Sequence, residues 1–277
     1  GVIKDQVSPS AAASSITKAG AGTLTLSGTN TYSGGTNLNL GTIAVANNAA
    51  LGTGNLAMAS GTTLQAASNV SLTNAITTAG VANIDTNGNN LGLSGVISGS
   101  GPVNKIGTGT LTLSGANTYS GGTNLNAGTL ILSGSVSSNV SVAAGAILQG
   151  GGTITGDLTN SGFVIPSFTG AQTNLNVNGN YVGSGGVFES NVYAPMSNPL
   201  ADKLIISGNV SGSTGVTIID KGGLGARTSG NGIEVVSVGG TSNANAFTLN
   251  QRVASGAFEY KLVKGDPLGS GNSWYLR

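Results

Sequence analysis

A 25-residue segment occurs twice in the chain, at residues 18–42 and 105–129, and the two copies differ at only four positions. Each copy contains TLTLSG, a polar NTYSGG bend, TNLN and a Gly-Thr step into a third run. Short runs in which apolar residues alternate with Thr, Ser or Asn are typical of strands with one buried face. Such a unit cannot bury its apolar face alone, so the duplication predicts copies stacked on both sides.

Looser versions of the same alternating runs fill the rest of the chain, joined by Gly, Asn and Ser that favour tight turns. No stretch has a sustained helical period, so we expect an all-β chain with essentially no helix. At about 20 residues per coil of a solenoid, the 87-residue offset between the copies is about four coils, and the chain about thirteen. The residues expected to point inward are Leu24, Leu26, Leu111 and Leu113. Asn30 and Asn117 are expected at one corner, where stacked amides can hydrogen-bond.

The composition excludes several classes of function. Only 7% of residues are charged, against about 25% in ordinary globular domains, and the net charge is +1. A net charge this small lacks the excess of basic residues that is typical of proteins that bind nucleic acid or an anionic membrane. The absence of Cys and His removes disulfides, thiolate sites, the commonest metal ligand and the commonest general base. We therefore expect no metal, no cofactor and no nucleic-acid partner.

Three regions are predicted from changes in composition. Residues 1–15 carry a Pro and an Ala/Ser run and are expected to form a frayed N-terminal end. Residues 16–160 are the repetitive region, and residues 161–277 are the C-terminal coils with a cap. No signal-peptide pattern opens the chain, which suggests a piece of a longer protein.

The predicted cap differs chemically from the repeats. Between residues 19 and 156 the only charged side chains are Asp85 and Lys105, whereas residues 157–277 carry seven acidic and seven basic ones. Most aromatic residues and the longest apolar runs also lie there. The repeat region is rich in Gly, Ala and Ser, so its inward side chains are expected to be small. The cap is therefore expected to gain more stability per residue and to fold first.

The sequence at 109–130, GTLTLSGANTYSGGTNLNAGTL, resembles the β-strand repeat of autotransporter passenger domains from Gram-negative bacteria. From about residue 186, the segments ADKLIISGNVSG, GIEVVSVGG and the closing WYLR resemble the pertactin-type end of such passengers. The resemblance implies a right-handed single-stranded parallel β-helix with a C-terminal β cap. It also implies a non-catalytic stalk whose C-terminal part, an autochaperone, promotes passenger folding during translocation.

The same resemblance implies where the protein works and with what. It implies a cell-surface or secreted protein that crosses the outer membrane of a Gram-negative bacterium. The implied partners are the passenger's own C-terminal translocator barrel, absent from this sequence, and the barrel-assembly machinery during export. A host surface or other bacterial cells are further partners that it allows.

Candidate site residues fall in two places. Tyr32 and Tyr119 lie at the repeated bends, where they are either exposed contacts or packed against the neighbouring coil. The candidate cap and folding residues are Asp202, Leu204, Ile206, Trp274 and Tyr275. For Asp202 and Lys203 a fold-directing contact or surface ion pair competes with ordinary solvent-facing charges.

Other classes of site and function are weighed against this interpretation. Residues 85–90, DTNGNN, resemble the start of a calcium loop, but Asn90 and Val96 stand at the sixth and twelfth positions, where such a loop needs Gly and Glu, so a polar turn is indicated. Cleavage of glycans requires paired carboxylates, and acids such as Glu189 and Asp202 are scattered one per strand. An adhesin that contacts host cells or other bacteria is the main alternative, and a self-associating β fibre is another. An ice-binding solenoid is disfavoured because TLTL does not recur between the copies.

Overall fold

A computed structural model describes residues 1–5, 13–166, 172–193, 200–225 and 227–277. These residues are all-β, without helix, and form a parallel β-solenoid of about eight coils. None of them belongs to a helix of the length and apolar character needed to cross a membrane. They divide into two compact units, Gly1–Asn139 and Val140–Arg277, which are described separately.

The first unit is built from strands of two to five residues. They are β1 (Ile16–Lys18), β2 (Thr23–Leu26), β3 (Thr36–Leu38), β4 (Thr42–Val45), β5 (Leu56–Met58), β6 (Thr62–Ala66), β7 (Val70–Leu72), β8 (Ile76–Thr78), β9 (Ala82–Asp85), β10 (Asn90–Leu93), β11 (Ile97–Gly99), β12 (Val103–Ile106), β13 (Thr110–Leu113), β14 (Ala116–Asn117), β15 (Thr123–Leu125), β16 (Thr129–Leu132) and β17 (Ser135–Val136).

These strands pair in parallel, coil over coil, in three columns. One column runs β1-β3-β5-β8-β11, a second runs β2-β4-β6-β9-β12-β15, and a third runs β7-β10-β13-β16. Hydrogen bonds join residues about 20 positions apart, as from Ile97 N to Asn117 Oδ1. The coil length inferred from the sequence is therefore confirmed for this unit.

The core of the first unit consists of stacked aliphatic side chains. In the third column Leu91, Leu111 and Leu130 are each at most 1% exposed and lie on successive coils. Leu113 is fully buried as expected and Leu26 is buried, while Leu24 is only half-buried. The expectation of small inward side chains holds only at some positions: Ala44, Ala66 and Ala82 are at most 3% exposed, but most inward positions of this unit hold Leu, Ile or Val.

The two repeat copies do not lie one above the other. Leu24 heads a column that continues through Ile43, Leu64 and Ile84 to Lys105, not to Leu111. The reason is arithmetic: 87 residues exceed four coils of about 20 by roughly seven, which is about one column. The second copy is thus displaced by one column, and the prediction of a shared corner for Asn30 and Asn117 is wrong.

The strands within each repeat copy nevertheless pair with one another in the same pattern. In the first copy β1 pairs with β3 and β2 with β4, and in the second β12 pairs with β15 and β13 with β16. The NTYSGG bend lies between the paired strands in both copies. One repeat therefore encodes one closed coil together with the start of the next.

The predicted frayed end lies partly outside the described residues. Its described part is bonded to the first coil: Ile3 N donates to Asn30 Oδ1 at 2.9 Å, and Thr31 N donates to Ile3 O at 2.9 Å. Ser33 Oγ donates to Asp5 Oδ2 at 2.6 Å, which holds the pKa of that carboxyl below its usual value. Residues 1–5 thus belong to the solenoid.

The second unit contains longer strands. They are β18 (Val140–Val142), β19 (Ile147–Gln149), β20 (Thr153–Ile154), β21 (Leu158–Asn160), β22 (Phe163–Ile165), β23 (Asn174–Val177), β24 (Tyr181–Tyr193), β25 (Leu200–Ala201), β26 (Lys203–Ile206), β27 (Val210–Asp220), β28 (Ile233–Val238), β29 (Phe247–Leu249), β30 (Val253–Ser255), β31 (Phe258–Tyr260), β32 (Leu262–Lys264) and β33 (Trp274–Leu276).

Coils become longer along this unit. Asn180 and Asp157 are joined across 23 positions, Thr173 and Asp202 across 29. Fewer than thirteen coils therefore fit in the chain, and the expectation from a constant period of about 20 residues is wrong. The two longest strands, β24 and β27, pair in parallel, and their register shifts between Ser184 and Val187.

Antiparallel strands end the second unit. β33 pairs antiparallel with both β28 and β32, and β30 with β31 forms a separate hairpin. The backbone of Lys261 and that of Arg277 exchange two hydrogen bonds, at 2.7 and 3.0 Å. A parallel edge that would otherwise present unpaired backbone groups is thus covered by strands of the opposite direction.

Candidate functional sites in the repeat bends and the C-terminal cap

The tyrosine of each repeat bend lies inside the coil. The Tyr32 hydroxyl is 2.6 Å from Thr36 Oγ1, and the Tyr119 hydroxyl is 2.5 Å from Thr123 Oγ1. Both rings are fully buried. Burial raises the pKa of Tyr119 to about 12, and that of Tyr32 also rises. Both phenols therefore stay neutral and act as hydrogen-bonding core residues.

The interpretation of these tyrosines as exposed contacts is wrong. The bend folds back over the ring because the threonine four residues later supplies the partner that the buried hydroxyl needs. In the first copy the following coil also covers the bend, where Thr53 N donates to Tyr32 O at 3.0 Å. Packing against the neighbouring coil, the other interpretation of the sequence, agrees with the structure.

The asparagine two residues before each tyrosine joins three coils. Asn30 accepts from Ile3 N and donates through Nδ2 to Ala50 O at 2.6 Å. Asn117 accepts from Ile97 N and donates to Ser135 O at 3.1 Å. Both side chains are at most 3% exposed. Each amide thus satisfies backbone groups on the coils before and after its own.

Sequence reasoning missed the lysine that opens each repeat. Lys105 is fully buried within a column of Leu and Ile, and its Nζ donates to Gly107 O at 2.7 Å and Ala127 O at 2.9 Å. Lys18 is 9% exposed and donates to the carbonyls of Gly20 and Leu40. Burial lowers the pKa of Lys105 to about 8, against the opposing influence of Asp85. The signal was present, since lysine stands at the same repeat position in a chain with few charges.

Asp202 is the polar centre of the cap. It is 2% exposed, and its carboxylate accepts from Thr173 N at 2.8 Å and from Asn191 Nδ2 at 2.6 Å. Lys203, the next residue, forms an ion pair with Glu234 at 2.9 Å. The solvent-facing interpretation is therefore wrong for Asp202, whose side chain joins neighbouring coils from a buried position.

Leu204 and Ile206 lie in the aliphatic core of the cap. Leu204 stands between Leu175 and Val236 on adjacent coils, and Ile206 is likewise only 1% exposed. The column continues the same alternation of buried and half-buried positions that the sequence shows. These two residues therefore contribute packing to the cap.

Trp274 completes a row of aromatic rings. Its ring meets Phe247 edge to face at 5.5 Å, and Phe247 stacks on Tyr181 at 5.6 Å. Trp274 is 3% exposed and donates from Nε1 to Ser242 Oγ at 3.0 Å. Tyr275, on the opposite face of the same strand, is half-buried and its hydroxyl lies 3.4 Å from Glu234 Oε1.

Tyr181 and Phe247 were not singled out in the sequence. The Tyr181 hydroxyl lies 2.9 Å from Thr214 Oγ1 and accepts from Asn160 Nδ2 at 3.1 Å, and burial raises the pKa of this phenol. These contacts connect residues 21 and 33 positions apart. Only the coil geometry brings them together, so no local pattern marks them.

The described residues offer little for metal or acid–base chemistry. No three of their Asp and Glu side chains come together as a metal-binding group. Asp85 accepts from Asn87 N at 2.8 Å and from Gln65 Nε2 at 2.8 Å. That geometry agrees with a polar turn at residues 85–90, where Asn87 adopts φ +46°.

Two family profiles match the chain at the features described above. The Passenger-associated-transport-repeat matches residues 16–45 and 103–132, which contain the two repeat copies. The Autochaperone Domain Type 1 matches residues 156–262, which include the Asp202 network and most of the cap. Fold, repeats and cap together identify the chain as autotransporter passenger sequence.

The chain is also similar to curated relatives, two of which are named as autotransporter adhesins. The "Adhesin BmaC autotransporter" of Brucella suis biovar 1 (strain 1330) is 38% identical over 277 residues, which cover 96% of this chain and 8% of the relative. The "Autotransporter adhesin AIDA-I" of Escherichia coli is 38% identical over 99 residues, 35% of this chain and 7% of the relative. The "Uncharacterized protein YdeU" of Escherichia coli (strain K12) is 40% identical over 102 residues, 37% of this chain and 22% of the relative. The chain thus spans less than a quarter of each.

Proposed function

We propose that this chain is a non-catalytic stalk and folding module of a surface autotransporter, in which the C-terminal cap promotes folding of the passenger during translocation. The match to the autochaperone family over residues 156–262 is the observation that carries this proposal. The protein is located at the surface of a Gram-negative bacterium, reached across the outer membrane, as the class implies. Its own translocator barrel and the barrel-assembly machinery are the proposed partners in export.

The contacts within the cap support this role. The carboxylate of Asp202 joins Thr173 to Asn191, and the aromatic row joins Tyr181 to Trp274. The antiparallel strands also cover the last parallel edge. A unit that is sealed at its C-terminal end in this way can form first and offer its other, open parallel edge for the assembly of further coils.

An adhesive role is the second candidate, supported by the printed names of the two adhesin relatives. The bend tyrosines cannot provide the contacts because they are buried. A shallow groove of about 400 Å³ on the first unit is the better candidate, and its lining includes Asn69, Ser71, Asn90, Gly92 and Thr112. Binding of the chain to cells, and its loss after Ser71→Arg, would support this role.

Catalysis is not part of the proposal. The acids of the cap are engaged structurally, as Asp202 and Glu234 illustrate. We expect no turnover of polysaccharides or peptides by the chain. Turnover that survives repurification and is lost in Glu189→Gln or Asp202→Asn would contradict the non-catalytic assignment.

Matched truncations of buried leucines test the folding role in the full chain. Leu204 in the cap and Leu64 in the first unit are both fully buried, and Leu→Ala at either site costs about 2–5 kcal/mol. If the cap forms first, Leu204→Ala slows refolding, whereas Leu64→Ala mainly speeds unfolding. Stopped-flow refolding and unfolding of both variants by far-UV circular dichroism measures this difference.

The opposite kinetic pattern would contradict the proposal. If Leu64→Ala slowed refolding and Leu204→Ala affected only unfolding, the first unit would contain the nucleus. Equal slowing by both variants would also exclude a cap that folds ahead of the repeats.

A further inference from the structure

A surface at the end of the cap combines cations with exposed apolar groups. We define the cap-tip surface as Arg227, Phe258, Pro267, Leu268 and Arg277. Four of these residues, all except Leu268, line a cavity of about 460 Å³. Leu268 follows Pro267 directly and is 91% exposed, while Phe258 is 39% exposed. Both are large apolar side chains that face solvent.

The local backbone fixes Leu268 in this position. Asp266 Oδ1 accepts from Leu268 N at 2.9 Å and from Ser270 N at 2.8 Å, and Gly269 N donates to Asp266 O at 2.9 Å. Gly269 adopts φ +82°, a conformation that closes the turn without strain in glycine. The turn therefore holds Leu268 outward on an ordered backbone. Because folding already orders this backbone, binding at Leu268 does not have to order it.

The charges of the cap-tip surface are unevenly compensated. Arg277 donates to the carbonyls of Asn231, Gly265 and Asp266, so backbone dipoles hold its guanidinium while its charge remains. Arg227 is exposed and has no ion-pair partner among the described residues. Glu259 also lines the cavity, but Arg252 pairs with it at 3.3 Å.

We propose that the cap-tip surface binds an anionic lipid surface, with the two arginines on lipid phosphates and Leu268 inserted at the level of the headgroups. Cations beside exposed apolar side chains are the combination that supports interfacial membrane binding. The net charge of +1 for the whole chain does not report this placement: Glu259 is paired with Arg252, and the Asp266 carboxylate accepts from Leu268 N and Ser270 N. This inference is independent of the folding role.

The apolar component favours lipid over other anionic partners. Nucleic acid or an acidic peptide would gain from Arg227 and Arg277 but would leave Leu268 in water. A lipid interface accommodates both parts at once, because phosphates lie beside the outer part of the acyl region. The surface of a Gram-negative bacterium, where the protein is located, provides membrane within reach.

Co-sedimentation of the folded full chain with vesicles tests the proposal. The vesicles are phosphatidylcholine alone or phosphatidylcholine mixed with phosphatidylglycerol. We expect binding to the anionic vesicles, weakening as salt rises, and little binding to the neutral ones. Each cation near an anionic surface contributes about 1 kcal/mol, so Arg227→Gln should weaken partitioning roughly fivefold. Leu268→Ser should weaken it by a similar factor at all salt concentrations.

Two control variants separate this surface from nonspecific binding. Lys221→Gln removes an exposed cation of the same unit, and Leu40→Ser removes a leucine that is 50% exposed in the first unit. Both controls should bind anionic vesicles as the parent does, with unchanged circular dichroism. Absence of binding to anionic vesicles, or equal losses in controls and cap-tip variants, would overturn the proposal. Binding to polyglutamate in place of vesicles would overturn the lipid assignment.

Discussion

The Tyr119 hydroxyl lies 2.5 Å from the Thr123 hydroxyl, and both side chains are at most 1% exposed. The same pair recurs at 2.6 Å between Tyr32 and Thr36, although the two repeat copies occupy different columns. The bend therefore carries its own buried hydrogen bond wherever it is placed along the coil. That independence explains how a displaced repeat keeps its local geometry.

Tyr119→Phe should destabilise the chain by about 1–2 kcal/mol, because it leaves the buried Thr123 hydroxyl without this partner. Thr123→Val should cost a similar amount, and the double variant less than the sum of the two. A double-mutant cycle from denaturant titrations measures the coupling. Strict additivity would show that the two hydroxyls do not interact.

Leu113→Asp should be severely destabilising, by at least about 3 kcal/mol, because it places a carboxylate in a fully buried column of leucines. Thr112→Asp, one residue away on the outer face, should cost less than about 1 kcal/mol. Thermal and denaturant unfolding of the two variants provides the comparison. Equal losses would mean that the two faces of β13 have been assigned incorrectly.

Lys105 should make stability depend on pH. Its pKa is about 8 in the folded chain and 10.5 unfolded, so between these values the unfolded state binds more protons and stability rises with pH. From pH 7 to pH 10 the rise should be about 2–3 kcal/mol. Lys105→Met lacks this contribution, so the difference between parent and variant, measured in denaturant at both pH values, isolates it.

Other titrating groups do not disturb this comparison, because they are present in both the parent and the Lys105→Met variant. The pKa of Tyr119 is raised to about 12 by burial, so its contribution to stability falls as pH rises above 10. That contribution is the same in parent and variant and cancels in the difference. A difference that is constant from pH 7 to pH 10 would show that the Lys105 ammonium is not penalised in the fold.

Asp202→Ala should cost about 3 kcal/mol, because it removes a buried acceptor used by Thr173 N and Asn191 Nδ2. Asp220→Ala is the matched control, since Asp220 is exposed and its carboxylate accepts from Gly222 N in the same turn at 2.7 Å. Denaturant titration followed by Trp274 fluorescence reports both. A loss of stability for Asp220→Ala as large as that for Asp202→Ala would show that the buried contacts of Asp202 have no special importance for the stability of the cap.

Strands and their buried faces could be predicted from the sequence because alternation is a local property. Leu111 and Leu113 are inward, as the pattern of TLTL indicates. The column that each strand joins depends instead on the number of residues in the corners between strands. The alternation of apolar and polar residues does not reveal that number. For that reason Leu24 stacks toward Lys105 and not toward Leu111.

The candidate sites were predictable to different degrees. Asp202, Leu204 and Trp274 lie within the cap, and each has a partner at least 29 positions away, namely Thr173, Leu175 and Ser242. Burial of Tyr32 and Tyr119 depends on a bend that folds inward, which polar residues around a ring do not reveal. Interactions between side chains on different coils are therefore the part of the site that could not be predicted from the sequence.

Early formation of a cap more stable than the repeats is the central claim, and Trp274 tests it directly. Trp274 is the only tryptophan and packs against Phe247 within the cap, so its fluorescence reports on that unit alone. Far-UV ellipticity reports on the strands of both units. In an equilibrium denaturant titration we predict a higher midpoint for Trp274 fluorescence than for ellipticity. Coincident midpoints, or a lower midpoint for Trp274, would contradict a cap that is more stable than the coils that depend on it.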